Sequence, residues 1–302
     1  MGGEVHLNDA RAGFAGWAIG DPGRAAVELL AGAPVSEVGQ ADIEVSSAEL
    51  PGMAVRAASV RGLMHRARGG PRQDALALAK RSQEAAEHDL IAVVCDGVGS
   101  LERSHEAANA VARGLALEAA AGKEWPTAFA SVNDTVASLA ERALGEAGDG
   151  ADASANGMAT TAVAVVLRPD GDGWSGELAW VGDSSCWHLD ASGSWTPLGG
   201  VAEETEAYHT GRVRPLPSED GQCETSSFRV DGGAVFLLTD GVANPLAWSE
   251  QVQATLAEWW SAPPDVLTFA GQVGFARKSH IDDRTAVGIW LSRADEGDDQ
   301  EG

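Results

Sequence analysis

The stretch 91–100, with the sequence IAVVCDGVGS, constrains the fold of this chain more than any other. Its first five residues are apolar or small and rich in β-branched side chains, which predicts a short strand buried on both faces. Asp96 ends this strand, and a buried carboxylate must be hydrated, paired or bound to a cation. Gly97 and Gly99 allow a sharp turn and a close approach of a ligand to the backbone. A hard cation bound by Asp96, with a backbone carbonyl beside it, meets all of these demands.

The chain is strongly acidic, with 45 Asp and Glu residues, 21 Lys and Arg residues and a formal charge of −24 over 302 residues. This charge argues against electrostatic binding to nucleic acid or to an anionic membrane. A hydrophobic fraction of 44% is typical of a globular protein, and no run of eighteen apolar residues or signal-peptide pattern is present. Three scattered cysteines are too few for a disulfide framework or a zinc cluster. We therefore expect a cytoplasmic protein.

The periodicity of the apolar residues predicts strands, then helices, then strands, then helices and a last strand, which differs from βαβ alternation. Ser104 is a candidate N-cap for the first of these helices. Residues 226–230 and 234–238 are predicted to form a hairpin around Asp231, Gly232 and Gly233. This order of elements favours an α+β fold, a four-layer α-β-β-α sandwich of two antiparallel sheets flanked by helices.

Three regions are expected along the chain. Residues 1–53 are predicted to be an N-terminal extension, weakly structured or packed on the domain, and residues 54–292 the domain itself. Residues 293–302 are predicted to be an acidic disordered tail.

Residues 199–225 have no periodicity and are predicted to form a long loop, which we interpret as a mobile flap that selects the substrate. Unchanged activity after deletion of residues 203–220 would contradict this interpretation.

Carboxylates recur at the ends of the predicted strands. Asp74, Asp96, Asp240 and Asp282 each border a strand, and Asp183 is a fifth acidic residue in a similar context. One Asp-Gly pair after a strand is usually a turn, but several such sites indicate a shared cluster of carboxylates. Such a cluster stays ionised in a buried site only with cations. Ligation by oxygen alone favours Mg²⁺ or Mn²⁺ over Zn²⁺.

Six short motifs follow one another in the order found in a known family. They are Gln73-Asp74-Ala75, Asp96-Gly97-Val98-Gly99-Ser100, Ala159-Thr160-Thr161-Ala162-Val163, Val181-Gly182-Asp183-Ser184, Leu238-Thr239-Asp240-Gly241-Val242 and Asp282-Asp283-Arg284-Thr285. Over residues 54–292 the chain thereby resembles the metal-dependent protein phosphatases (type 2C, PPM). The arrangement of Gly62, His65 and Gly70-Pro71 before Asp74 is most similar to a bacterial branch.

This resemblance implies a serine/threonine phosphoprotein phosphatase, in which a hydroxide that bridges two Mn²⁺ or Mg²⁺ ions attacks the phosphomonoester. It also implies phosphorylated protein substrates and a cognate Ser/Thr kinase that acts on the same proteins. A third, weaker ion is known in bacterial members. The implied metal ligands are Asp96 as the bridge, the Gly97 carbonyl, Asp74, Asp240 and Asp282, with Asp183 for the third ion.

Several positions depart from the family pattern. Gln73 stands where Glu is common, and Val98 stands where eukaryotic members have a histidine proposed as the general acid. His65 is a candidate for that proton donor, or a loop histidine that orients Asp74. The phosphate-binding arginine is displaced, and Arg66 is favoured over Arg68 and Arg72. A non-catalytic module that binds metal or phosphopeptide remains an alternative, as does a metallophosphoesterase that acts on small molecules.

Overall fold

The computed structural model describes residues 17–24, 26, 41–81, 89–147, 157–201 and 215–292. Within these ranges, the helices lack the combination of length and hydrophobicity that spanning a bilayer requires. The elements form two antiparallel sheets and two groups of helices.

The first sheet has six strands in the order β1-β2-β11-β10-β7-β8. Every neighbouring pair in it is antiparallel. The strands are β1 (Ile43–Leu50), β2 (Met53–Val60), β7 (Ser185–Leu189), β8 (Trp195–Gly199), β10 (Gly233–Leu238) and β11 (Arg284–Leu291).

The second sheet has five strands in the order β3-β4-β5-β6-β9, again all antiparallel. The strands are β3 (Ala75–Lys80), β4 (Leu90–Cys95), β5 (Ala162–Asp170), β6 (Gly173–Val181) and β9 (Glu224–Val230). The predicted strand over 91–95 is thus β4, and all six of its residues are buried.

Each sheet carries helices on its outer face. A short helix, α1 (Leu63–Arg68), lies next to the carboxylates, whereas the others form the outer layers. They are α2 (Ser104–Ala120), α3 (Trp125–Ala147), α4 (Asp240–Trp248), α5 (Glu250–Trp259) and α6 (Val266–Val273). One apolar core joins α2 and α3 to the second sheet, and another joins α4, α5 and α6 to the first sheet.

A third core lies between the two sheets, and β4 contributes side chains both to this core and to the core under the helices. Ile91, Val93 and Cys95 face the helices, while Ala92 and Val94 face the other sheet. Because successive side chains of a strand point to opposite faces, a continuous apolar run is required here. The α+β sandwich of two antiparallel sheets with flanking helices is confirmed.

Two local predictions are wrong. Strands β9 and β10 do not form a hairpin: β9 pairs with β6 in the second sheet, and β10 pairs with β7 and β11 in the first. The turn between them therefore crosses from one sheet to the other. Ser104 is not the N-cap of α2, because the cap position is Arg103, and the Ser104 hydroxyl donates to the Val98 carbonyl at 2.8 Å.

The first sheet begins earlier than the domain boundary predicted at residue 54. Strand β1 pairs with β2 along its whole length, from Ile43 opposite Val60 to Leu50 opposite Met53. Residues 43–53 of the predicted extension are therefore part of the sheet. The predicted acidic tail, residues 293–302, lies outside the described residues.

The predicted flap is described only at its two ends, since residues 202–214 lie outside the described ranges. Its C-terminal end is held on the domain by pairs of hydrogen bonds. Leu216 and Thr160 exchange two backbone bonds of 2.8 and 2.9 Å, and Ser218 exchanges two with the Asn133 side chain.

Candidate metal centre

The second sheet positions two of the predicted ligands. Asp74 directly precedes β3 and Asp96 directly follows β4, and the antiparallel pairing of Ala75 with Cys95 brings both to one end of the sheet. The Asp96 carbonyl accepts hydrogen bonds of 2.8 Å from the Thr160 hydroxyl and the Thr161 amide. The backbone on which Asp96 stands is thereby held from the neighbouring strand.

The first sheet brings its acidic residues to the same place. Asp240 follows β10 and begins α4, and Asp282 lies just before β11, which pairs with β10. Asp183 lies in the turn that joins β6 of the second sheet to β7 of the first. The five predicted carboxylates thus come from the ends of both sheets, and the charge interactions of Asp96 reach Asp74, Asp240 and Asp183.

The carboxylates lie close enough to oppose one another's ionisation. Burial raises the pKa of Asp96 well above its usual value, and the charges of Asp74, Asp240 and then Asp183 raise it further. Burial and the charges of Asp183 and Asp282 raise the pKa of Asp240 to about 6. Burial raises the pKa of Asp183 as well. Such a cluster is fully ionised at neutral pH only when positive charge enters it.

Asp74 is held by a chain of hydroxyl groups from the first sheet. Its Oδ2 atom accepts 2.8 Å hydrogen bonds from the Thr239 and Thr285 hydroxyls. The Thr239 hydroxyl in turn accepts from the Thr285 amide at 2.9 Å, and the Thr285 hydroxyl lies 2.6 Å from that of Ser59. Since each hydroxyl has one proton, Ser59 donates to Thr285 and Thr285 to Asp74. This chain occupies Oδ2 and fixes the orientation of the carboxylate.

Burial raises the pKa of Asp74 well above its usual value, and the charge of Asp283 adds to the shift. The two threonine hydroxyls act in the opposite direction, because they donate to the ionised form.

Gly97 and Gln73 lie side by side at the edge of the cluster. A Cβ atom at Gly97 would lie 2.7 Å from the Gln73 carbonyl oxygen and 2.9 Å from the Ser104 Cβ, so no other residue fits there. The side-chain Nε2 atom of Gln73 donates to the Leu101 carbonyl at 3.2 Å. The Oε1 atom of the same side chain is buried without a hydrogen-bond partner. An unpartnered oxygen beside buried carboxylates fits a site that takes a cation or its water.

Asp283, for which the sequence predicted no role, organises the loops around the site. Its Oδ1 atom accepts a hydrogen bond from the backbone N–H of Gly62, and its Oδ2 atom accepts one from the backbone N–H of Gln73, each at 2.6 Å. The ring of His65 lies 3.0 Å from the same carboxylate, measured from Nδ1 to Oδ1. The contact partner of His65 is therefore Asp283 and not Asp74.

His65, Asp282 and Asp283 have donor atoms within 4.8 Å of one another, close enough to share a metal ion. Both oxygens of Asp283 are already used by backbone amides, however, so we interpret Asp283 as a structural anion. Burial lowers the pKa of His65, but contact with Asp283 and the charges of Asp283 and Asp282 outweigh it, and the net pKa is raised. Asp283 thus favours the protonated form of His65.

The predicted arginines have different partners. The Arg66 guanidinium lies 3.1 Å from Asp42 and is partly exposed. Arg72 is buried, contacts Glu44, and donates to the carbonyl oxygens of Asp74 at 3.2 Å and Ser59 at 3.3 Å. These contacts give Arg72 a structural role beside Asp74, and phosphate binding by Arg66 stays a prediction.

Arg284, for which the sequence also predicted no role, is a buried cation behind the carboxylates. Its Nε atom donates to the Gly241 carbonyl at 3.0 Å and its Nη2 atom to the His280 carbonyl at 2.8 Å. Burial lowers the pKa of Arg284 to about 10, while the charges of Asp282 and Asp240 oppose this effect. The sequence signal for Asp283, Arg284 and Thr285 was their position where an acidic turn leads into a fully buried strand, whose first two residues are Arg284 and Thr285.

The model of the protein phosphatase 2C family matches residues 61–266. The chain belongs to this family. The matched range includes four of the five clustered carboxylates and ends before Asp282. No curated protein matches the sequence significantly.

Solved structures with the same fold include other protein phosphatases. The catalytic domain of the serine threonine protein phosphatase PstP in complex with two manganese ions has a TM-score of 0.57 at 18% identity, over 79% of this chain and 98% of that chain. The serine/threonine phosphatase Stp1 from Staphylococcus aureus has a TM-score of 0.53 at 15% identity, over 82% and 99%. A bacterial serine phosphatase has a TM-score of 0.56 at 15% identity, over 79% and 98%. Because the sequence identities are this low, the structural similarity to these phosphatases establishes only the fold of this protein phosphatase 2C member.

Proposed function

We propose that this protein phosphatase 2C member is a metal-dependent serine/threonine phosphoprotein phosphatase that uses two Mn²⁺ or Mg²⁺ ions and a third, weaker one. The observation that carries the proposal is the set of carboxylates from both sheets around Asp96, in which burial and neighbouring negative charges raise the pKa values of Asp96 and Asp240. Carboxylates, a backbone carbonyl and a glutamine oxygen are hard oxygen donors, which suit these two cations. The PstP structure, which contains manganese, has the same fold.

The ligands we assign are Asp74, Asp96, the Gly97 carbonyl, Asp240 and Asp282, with Asp183 for the third ion. Bound divalent ions lower the pKa of water and neutralise the charge of phosphate oxygens. The protein's part is to hold the ligands in place. Thr239 and Thr285 do so for Asp74, through the hydroxyl bonds to its Oδ2 atom.

His65 is our candidate for the proton donor to the leaving group. Contact with Asp283 and the charges of Asp283 and Asp282 raise its pKa against the effect of burial, which favours the protonated ring that a proton donor needs. Arg66 is our candidate for phosphate binding, where a guanidinium matches the geometry of phosphate oxygens. To bind phosphate, Arg66 would have to release its partner Asp42. Both side chains are partly exposed, which permits this exchange.

The resemblance extends the proposal to phosphorylated proteins of the cytoplasm and to a cognate Ser/Thr kinase that phosphorylates them. A non-catalytic module that binds metal or phosphopeptide is the second candidate. Gln73 favours it, because an amide brings no charge to a position where a carboxylate is common.

Hydrolysis of p-nitrophenyl phosphate and of a phosphothreonine peptide tests the proposal, with EDTA, Mg²⁺ or Mn²⁺ present. We expect turnover with Mn²⁺ or Mg²⁺, none with EDTA, and loss of turnover in Asp96→Asn. Asp134→Asn is the matched control, because it removes an exposed carboxylate from α3. Absence of turnover with every metal, together with Mn²⁺ binding that Asp96→Asn abolishes in calorimetry, would support the non-catalytic module instead.

A further inference from the structure

Residues 17–24, here called the N-terminal segment, form backbone hydrogen bonds with residues 276–278, which lead into Asp282. The Ala276 amide donates to the Trp17 carbonyl at 2.7 Å, and the Ile19 amide donates to the Ala276 carbonyl at 3.1 Å. The Lys278 amide donates to the Asp21 carbonyl at 2.8 Å. The segment precedes residues 61–266, the range that the family model matches.

Side chains hold the N-terminal segment in place. Ile19 is 2% exposed and belongs to the core between the first sheet and its helices. The Arg277 guanidinium donates to the Ile19 carbonyl at 3.2 Å and to the Ser249 hydroxyl, the N-cap of α5, at 3.1 Å. Trp17 packs edge-on against Trp259 with ring centroids 5.0 Å apart. The segment is thus anchored to the helical layer as well as to residues 276–278.

The residues after 278 form a tight turn that needs such support. The His280 amide donates to the Arg277 carbonyl at 3.1 Å, and Ser279 has a φ of 70°, which is unfavourable for a residue with a side chain. The turn continues into Ile281, whose carbonyl accepts from Met64 of α1 at 3.0 Å, and then into Asp282.

Asp282 is the exposed member of the carboxylate cluster, so its position depends on its backbone more than on packing around its side chain. Arg284 transmits the position of the turn to a second ligand. Its guanidinium donates to the His280 carbonyl within the turn and to the carbonyl of Gly241, the residue after Asp240. A displaced turn would therefore disturb both Asp282 and the start of α4.

We infer that the N-terminal segment is a positioning element for the metal centre: it fixes the 276–280 turn and thereby increases the affinity for divalent cations. The inference rests on the proposed role of Asp282 as a metal ligand. It gives the N-terminal segment a function in cation binding beyond stabilising the fold.

Two full-length variants with matched chemistry test this inference. Ile19→Ala removes the buried anchor of the N-terminal segment. Leu256→Ala removes the same number of carbon atoms from the same core, at a fully buried residue of α5 that is not part of the segment or the turn. Arg277→Gln is a further variant that removes the guanidinium bonds and leaves the apolar core intact.

The measurements are Mn²⁺ binding by calorimetry and hydrogen exchange of the amides of residues 276–283 without metal. We expect Ile19→Ala to weaken Mn²⁺ binding about tenfold, the scale seen when groups that orient metal ligands are removed. We also expect faster exchange over 276–283. Arg277→Gln should change both quantities in the same direction, whereas Leu256→Ala should lower stability with wild-type affinity and wild-type exchange in this stretch.

Equal Mn²⁺ affinity in wild type, Ile19→Ala and Arg277→Gln would overturn the inference and leave the proposed metal centre intact. Equal weakening in Ile19→Ala and Leu256→Ala would overturn it too, because general destabilisation would then explain the effect. A wild-type protein that binds no Mn²⁺ would contradict the proposed function itself and this inference with it.

Discussion

Ionised Asp240 destabilises the metal-free protein, and its replacement by Asn should therefore stabilise that form at neutral pH. Burial and the charges of Asp183 and Asp282 raise its pKa from 3.8 to about 6. One pKa unit corresponds to about 1.4 kcal/mol, so ionising Asp240 in the folded protein costs about 3 kcal/mol more than in the unfolded chain. Asn has a similar shape and no charge, and its amide avoids this cost.

The sign of the pH dependence follows from the direction of the shift. Because the folded-state pKa lies above the unfolded value, the folded protein binds more protons between these two values. The free energy of unfolding therefore falls as the pH rises from about 4 through about 6. Relative to wild type, Asp240→Asn should gain almost nothing at about pH 4 and about 3 kcal/mol at about pH 7.5. For a domain of this size the gain amounts to about 6–12 °C in melting temperature.

Urea and thermal unfolding in EDTA over this pH range measure the effect, with Asp134→Asn as the control for removal of an exposed carboxylate. Saturating Mn²⁺ should reverse the order of stability, because wild type gains binding free energy that Asp240→Asn has lost. If Asp240→Asn is no more stable than wild type at about pH 7.5 in EDTA, the carboxylate repulsion argued from the structure is wrong.

Three further changes test the groups around the cluster. Thr285→Val removes a hydroxyl donor from Asp74 and should destabilise the protein by about 1–3 kcal/mol in urea unfolding, whereas Thr285→Ser should stay near wild type. Asp283→Asn removes the negative charge beside His65, so the pKa of that histidine should fall in an NMR titration; an unchanged pKa would contradict the assigned contact. Gln73→Glu adds a carboxylate next to the cluster and should tighten Mn²⁺ binding in calorimetry while lowering the melting temperature in EDTA; weaker binding would argue against a cation near Oε1.

Local patterns in the sequence were sufficient to predict most elements and the acidic cluster. The apolar run before Asp96 predicted a strand buried on both faces, and β4 is such a strand. Ala107, Val111, Leu115 and Ala119 recur in the sequence at the spacing of a helix, and all four are buried in α2. Recurrence of Asp at strand ends predicted that the carboxylates would meet. These predictions depend on the periods of helix and strand, which are properties of neighbouring residues.

Helix α4 shows where local patterns were insufficient. It begins at Asp240 and contains Pro245, and no apolar stripe in the sequence predicted it. The crossing of the chain between β9 and β10 was also missed, because a glycine-containing turn between two apolar strands suits a hairpin as well as a change of sheet.

Only the tertiary structure decided which side chains support the site. Thr239 and Thr285 reach Asp74 across 165 and 211 residues of chain, and Ser59 joins them across 226. Asp283 reaches Gln73 across 210 residues. Such bonds depend on which strands pair, as for Ser59 and Thr285, and on how the two sheets pack face to face. No periodicity within a segment encodes either. The sequence by itself therefore determined most of the strands and helices and the acidic residues at the strand ends, whereas packing determined which groups orient those carboxylates.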